Sequence, residues 1–293
     1  MAKTLSAFKK IQELRDRYYK AAHSKDALLK LIIAAETPEQ VYNSNAIENS
    51  TLTLEETEKL LLQIEIDRFI SEREIFEAKN LARVVEYTDK KAKEQELTID
   101  VILLMHKMLI SNIRDDIAGR LRTGDEFVRV GSYIAPSPTD LPKLLADALI
   151  AYNAASHEHI VKRVAKLHLN FEHAHPFVDG NGRIGRAINN YMLTREGYVP
   201  INIKFVDRRI YYDAFKEYDQ EGKTEIMEEI IAKALTNSYH KRLAYLEDKE
   251  IVSLSEYAKL TKQSHSNLHN KANRQTIEAF FEKGDWKIGM DRN

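Results

Sequence analysis

Apolar residues recur at helical spacing along most of the chain. Leu5, Phe8, Ile11, Leu14 and Tyr18 fall every three or four positions, one stripe of an amphipathic helix. The same period predicts helices over 71–96, 141–156, 159–174 and 223–246. Thr53, followed three residues later by Glu56, reads as a capping box opening a helix over 55–64. One stretch departs from the pattern. Residues 119–138, GRLRTGDEFVRVGSYIAPSP, hold three glycines and two prolines. Phe127, Val128, Val130, Tyr133 and Ile134 surround Gly131 with strand-forming side chains, which predicts a short hairpin with Val130, Gly131 and Ser132 near its tip. The chain is otherwise mainly α until about residue 250.

Charge and composition narrow the chemistry. With 44 basic and 45 acidic residues the net charge is −1, so no strong field draws the protein to nucleic acid or anionic lipid. Cysteine is absent, which excludes disulfide frameworks, thiolate metal sites and cysteine nucleophiles and fits a reducing compartment. The first twenty residues are charged throughout and lack the apolar core of a signal peptide. No run approaches the roughly 18 uncharged apolar residues of a membrane span. The expectation is a soluble cytoplasmic protein with no membrane partner.

The densest cluster of reactive residues is HPFVDGNGRIGR, from His175 to Arg186. Pro176 forbids continuation of the preceding helix, and Gly180 and Gly182 let backbone amides approach a ligand where a new helix opens. Such a helix N-terminus is an anion site. Arg183 and Arg186, three apart, lie on one face beside it, with Asn190 four further on. Asp179 is a hard oxygen ligand suited to Mg²⁺ beside phosphate, and His175 can take a proton near neutral pH.

This string matches the motif H-P-F-x-D/E-G-N-G-R-x-x-R at every defined position, so the chain resembles the Fic family. The flanking segments KLHLNFEHAHPF and GRAINNYMLTREGYVPINI resemble it too, and the likeness runs over about residues 40–220. The resemblance implies His175 as general base for a target hydroxyl and Asp179 as the Mg²⁺ ligand. It implies Gly180, Asn181 and Gly182 as the anion hole, Arg183 on the β-phosphate and Arg186 on the γ-phosphate of ATP. Asn190 matches a position near adenine, Tyr211 and Tyr212 are candidate base-side contacts, and the hairpin resembles the flap that holds the target by strand addition. Upstream, Ser44-Asn45-Ala46-Ile47-Glu48-Asn49 fits S/T-x-x-x-E-G/N, which in the family forms an inhibitory helix; here Ser44 and Glu48 would face Arg186. An arginine neutralised by a carboxylate cannot receive a phosphate.

Plainer readings compete. Gly180-x-Gly182-x-x-Gly185 also fits a dinucleotide fingerprint, but that requires a preceding strand, and helix-like sequence stands there. His168, His173 and His175 could suggest a metal site. His168 falls on the apolar stripe of Val161, Val164 and Phe171 and reads as a core histidine, and His173 as solvated or structural. Tyr211 and Tyr212 also suit a core.

The last forty residues differ in texture. Ser253 or Ser255 caps a helix over 257–260, a turn at 262–264 leads to a second over 266–274, and residues 280–282 and 286–288 flank Lys283-Gly284-Asp285 as a hairpin. This resembles the small winged helix-turn-helix of excisionase-type proteins. Ser266, Asn267, His269, Asn270, Lys271 and Arg274 could reach DNA. Seven Lys or Arg against five Asp or Glu in residues 251–293 is a thin surplus for that role, and protein contact or homodimerisation fits as well.

The expected fold is therefore mainly α: a Fic-type helical bundle with a β-hairpin flap and a C-terminal winged helix-turn-helix. The expected organisation is an N-terminal helical region over 1–95, a catalytic core over 96–220, a connecting helix over 221–250 and the small module over 251–293. The expected function is AMP transfer from ATP to a Ser, Thr or Tyr hydroxyl of a target protein, with Mg²⁺ and restrained by Glu48. Removal of AMP, transfer of another nucleotide, and nucleotide sensing by a DNA-binding regulator are the alternatives.

Overall fold

The computed structural model describes residues 2–130 and 133–292; Gly131 and Ser132 of the expected flap, and the side chain of Val130, lie outside what it describes. Its helices are α1 Ala2–Ala22, α2 Asp26–Ile47, α3 Leu54–Leu61, α4 Glu72–Lys91, α5 Ile99–Ile110, α6 Leu141–Ala154, α7 Ile160–Ala174, α8 Asn181–Arg195, α9 Arg208–Glu221, α10 Glu225–Leu246, α11 Leu254–Leu260 and α12 His265–Asn273. Strands β1 Arg129–Val130 and β2 Tyr133–Ile134 pair antiparallel, with Arg129 opposite Ile134 and Val130 opposite Tyr133. The strands β3 Glu250–Ser253, β4 Ala279–Glu282 and β5 Asp285–Met290 form a second sheet in the order β3-β5-β4. The mainly helical fold is the one expected.

The capping box forms: the Thr53 hydroxyl accepts the Glu56 N–H at 3.1 Å, and the Thr53 N–H donates to the Glu56 carboxylate at 2.8 Å. The helix it opens stops at Leu61. Periodicity did not reveal α5, IDVILLMHKMLI, because Val101, Ile102, Met105, Leu109 and Ile110 are buried around much of its circumference and leave little polar face. Nor did it reveal α2 as one helix, since Pro38 lies inside it.

The described residues divide into two compact units, 37–230 and 1–36 with 231–293. In the first, α7 packs on α6 and α8, α4 on α5 and α8, and α9 on α7. Phe171, Phe177, Ile184, Ile188 and Tyr191 are all at most 1% exposed at its centre. Helix α8 is enclosed almost throughout although its sequence, NGRIGRAINNYMLTR, is half polar. Buried polar groups must find partners, and those partners build the site.

In the second unit, Val252, Leu254, Ala258, Leu268, Ala272, Ala279 and Ile288 form a small core with Trp286 and Tyr257 against it. Ser253 caps α11 through the Glu256 N–H at 3.1 Å. Strand β3 is an addition that the pattern did not show. Arg17 on α1 pairs with both Glu247 and Glu278 at 2.5 Å.

Candidate active site

Helix α7 ends at Ala174, and His175 then turns left-handed at φ 45°, ψ 60°, a conformation that a side chain with a Cβ resists. A buried arginine holds it there. Arg122 Nε donates to the His175 carbonyl at 2.8 Å, Nη1 to Glu126 at 2.9 Å and Nη2 to Pro136 at 3.1 Å, while its backbone N–H donates to Pro176 at 2.9 Å. The histidine turn is thus tied to both flanks of the hairpin. The His175 ring sets Nδ1 3.3 Å from the Glu172 carbonyl, which can only accept, so Nδ1 carries the proton and Nε2 keeps its lone pair. Burial drops the ring's pKa to about 4, leaving it neutral at physiological pH.

The next loop is braced from within. The Asn181 side chain accepts the Phe177 N–H and donates to the Phe177 carbonyl, both at 2.8 Å. Its amide therefore holds the loop, and only its backbone N–H can serve the expected anion hole. Gly180 has φ +85°, and a Cβ there would stand 3.0 Å from Leu109. His106 stacks on Phe177 at 3.7 Å. Its Nδ1 accepts the Gly119 N–H at 3.0 Å, so Nε2–H donates to the Asp179 carbonyl at 3.0 Å. Burial lowers this histidine to about 4 as well, fixing it as a neutral brace.

The two motif arginines are buried and reach different partners. Arg186, 7% exposed, donates from Nε to the Ser44 hydroxyl at 2.9 Å, from Nη2 to the Ser44 carbonyl at 2.8 Å and to Glu48 Oε1 at 2.9 Å, and from Nη1 to the Tyr211 hydroxyl at 3.2 Å. Burial opposes its charge, but Tyr211 and Glu48 more than offset that and hold it cationic. The Glu48 carboxylate also lies against Gly182, where a Cβ would meet Oε1 at 2.2 Å. Arg183 donates to Asp179 at 3.0 Å and pairs with Glu77 at 3.1 Å; Arg73 closes the ring through Asp179 at 2.8 Å and Glu77 at 3.1 Å. Burial alone would raise the Asp179 carboxyl, but Arg183 and Arg73 keep it below the usual carboxylate range.

The structure brings His175, Asp179, Gly180, Asn181, Gly182, Arg183, Arg186, Ser44 and Glu48 together. Asn190 is buried with its amide paired to the Ile201 backbone at 2.9 and 2.8 Å, so its side chain serves the fold. Tyr211 is a buried link between Arg186 and His168, whose Nε2 is 2.8 Å from its hydroxyl. Tyr212 donates to the Ile47 carbonyl at 3.3 Å. His173 sits 2.8 Å from Asp219 and 3.0 Å from the Tyr133 hydroxyl of β2, anchoring the hairpin. Asn267 and Asn270 are exposed on α12, with Lys271 partly so. Sequence reasoning missed Arg122, His106, Arg73 and Glu77. His106 had a signal, a lone polar ring in an apolar run; Arg122 had none, because all its partners are backbone carbonyls.

Comparison with known proteins finds relatives in sequence and in fold. Residues 96–193 match the profile of the Fic/DOC family. Protein adenylyltransferase Fic of Nematostella vectensis is 30% identical over 212 residues, 70% of this chain and 48% of that protein. The Drosophila sechellia protein of the same name is 32% identical over 183 residues, 61% of this chain and 36% of that protein. The chain thus spans about half or less of the length of these curated relatives. Among solved structures, Fic-1 (aa134–508) from C. elegans superposes with a TM-score of 0.73 at 26% identity, covering 83% of this chain and 72% of that one. A Fic domain containing signaling protein from Bacteroides thetaiotaomicron shares the fold, with a TM-score of 0.74 at 24% identity over 82% of this chain and 97% of that one. With the motif of residues 175–186 folded as one loop and helix N-terminus, the chain carries a Fic domain.

Proposed function

We propose that the protein transfers AMP from ATP to a Ser, Thr or Tyr hydroxyl of a target protein, and that Glu48 restrains it. One observation carries the reading: a neutral histidine with a free Nε2 stands beside a glycine-opened helix N-terminus whose arginine is held by the Glu48 carboxylate. The curated relatives bear the name protein adenylyltransferase.

In this reading the amides of Gly180, Asn181 and Gly182 face the α- and β-phosphates, Arg183 the β-phosphate and Arg186 the γ-phosphate. The target strand pairs with the flap near residues 130–132. Its hydroxyl oxygen bonds to the α-phosphorus while the α–β phosphoanhydride bond breaks, pyrophosphate leaves, and the hydroxyl proton passes to His175 Nε2. Asp179, the carboxylate kept ionised, fits Mg²⁺ as a single protein ligand. Among the described residues no group of three or more His, Asp or Glu could hold a metal alone, so phosphates and water would complete the shell. The ion would offset phosphate charge when bound. Both Asp179 oxygens face arginines, so Arg73 must give way. Glu48 and a γ-phosphate cannot share Arg186, which is the physical content of autoinhibition.

The test uses the Glu48→Gly protein with ATP labelled at the α-phosphate. Label is expected on a protein acceptor and is lost with His175→Ala; no label on any protein in a lysate, from a preparation that binds ATP, removes the proposal. Release of AMP from a labelled acceptor would instead mark the reverse reaction, with Glu48 orienting water. A cytoplasmic setting suits such targets.

The C-terminal unit supports a second role, contact with DNA or with a second copy of the chain. Helix α12 turns Ser266, Asn267, His269 and Asn270 outward, and Arg274 is exposed just past its end. A mobility shift at moderate salt tests DNA binding, and sedimentation tests the dimer.

A further inference from the structure

Resting on that reading, we propose that Glu172 is a positioning residue for His175, its carboxyl group, once ionised, supplying the counter-charge for the imidazolium that forms when the ring takes the target's proton. Glu172 sits one turn before His175 on α7. Its backbone carbonyl already accepts the ring's Nδ1–H at 3.3 Å, and its side-chain Oε2 lies 3.9 Å from the same nitrogen. The other carboxyl oxygen, Oε1, is buried without a hydrogen-bond partner. Gly185 leaves the room for it, since a Cβ there would meet Oε1 at 2.4 Å. A buried carboxyl with an unpaired oxygen is costly in a well-packed core. Beside the base it has a use, because the arrangement of a carboxyl on the far nitrogen of a histidine base is how imidazolium is stabilised elsewhere.

The groups around Glu172 come from four elements. Glu48 stands at the end of α2, Arg186 on α8, Tyr211 on α9, His168 on α7 and His175 just past its end. Burial first, and then Glu48, push its pKa up to about 8, with Arg186 pulling the other way. At neutral pH the group is therefore protonated. When it ionises, the carboxylate faces Nδ1–H and raises the basicity of Nε2, so proton transfer from the target speeds up. No bond is made or broken at Glu172; it acts through the charge on the ring.

The experiment compares Glu48→Gly with Glu48→Gly/Glu172→Gln, both full length, by AMP transfer against pH and by ¹³C-carboxyl and ¹⁵N-imidazole NMR. Removing Glu48 removes a raising neighbour, so Glu172 is expected to titrate below its value in the unsubstituted chain. As pH passes that titration, kcat should step up by about tenfold with KM for ATP unchanged, as expected when a general base gains strength. The His175 ring signals should move with the same midpoint. Glutamine mimics the protonated acid, so the double variant should match the parent below the step and stay flat above it. Parallel profiles in the two proteins, or His175 signals indifferent to the Glu172 titration, would overturn the proposal. If neither protein transfers AMP, the functional reading fails while the NMR coupling still decides the role of Glu172. Should the glutamine variant not fold, the NMR titration of the parent alone decides it: a shared midpoint supports the coupling, and separate midpoints overturn it.

Discussion

Gly182 and Glu48 claim the same space: a Cβ on Gly182 would lie 2.2 Å from Glu48 Oε1, whose carboxylate is 2.9 Å from Arg186 Nη2. The carboxylate therefore sits where an anion would meet both the helix amides and the guanidinium. Glu48→Gly should tighten ATP binding by at least about tenfold, the worth of one charge-assisted hydrogen bond of roughly 1.5–3 kcal/mol. Gly182→Ala on that background should lose the gain, because the methyl bars the phosphate as it bars Glu48. Calorimetric titration with ATP checks both; equal affinity in all three proteins would count against Glu48 as a competitor.

Arg73 guards Asp179 in a pair whose arginine is 57% exposed. Exposed pairs contribute up to about 1 kcal/mol. Arg73→Ala should therefore lower the Mg²⁺ concentration for half-maximal labelling by up to about fivefold. An unchanged magnesium dependence would show that the pair does not compete with the ion.

Arg122 supports His175 through carbonyls alone. Arg122→Met would strip donors from partly buried acceptors at Glu126, Pro136 and His175. Each unsatisfied group costs about 1–3 kcal/mol, so unfolding free energy should fall by roughly 3 kcal/mol. Denaturant titration measures it, and activity should fall further than the loss of folded protein explains.

Stability should peak near neutral pH for two opposed reasons. Burial lowers His106 and His175 to about 4 and His168 to about 3. Their contribution is complete above the unfolded value near 6.5 and is lost as pH falls through the folded values. Glu172, raised to about 8 from 4.5, works in reverse: its contribution is complete below 4.5 and fades as pH rises to 8. Thermal melts from pH 5 to 9 should show Glu172→Gln gaining on the parent as pH rises. A constant difference across that range would mean that Glu172 does not titrate there.

The motif was legible because its residues are contiguous. His175, Asp179 and the glycines needed only a turn and a helix start to become a site. The Glu48 pair was legible only through resemblance, since 138 residues separate it from Arg186. Arg122 and Glu77 were not legible: charged or polar side chains on helices and loops ordinarily face water, and only packing shows which are enclosed. Asn181 and Asn190 show the converse, side chains that looked like ligands and serve backbone groups.

The order of chemical groups from His175 to Arg186, the helical period and the hairpin follow from local preference, which neighbouring residues set within a few positions. Which buried oxygen faces which nitrogen does not. The Glu48 carboxylate against Gly182 and the Arg122 clamp on the histidine turn arise where distant segments are packed together, because burial makes each polar group find whatever partner the fold brings within reach.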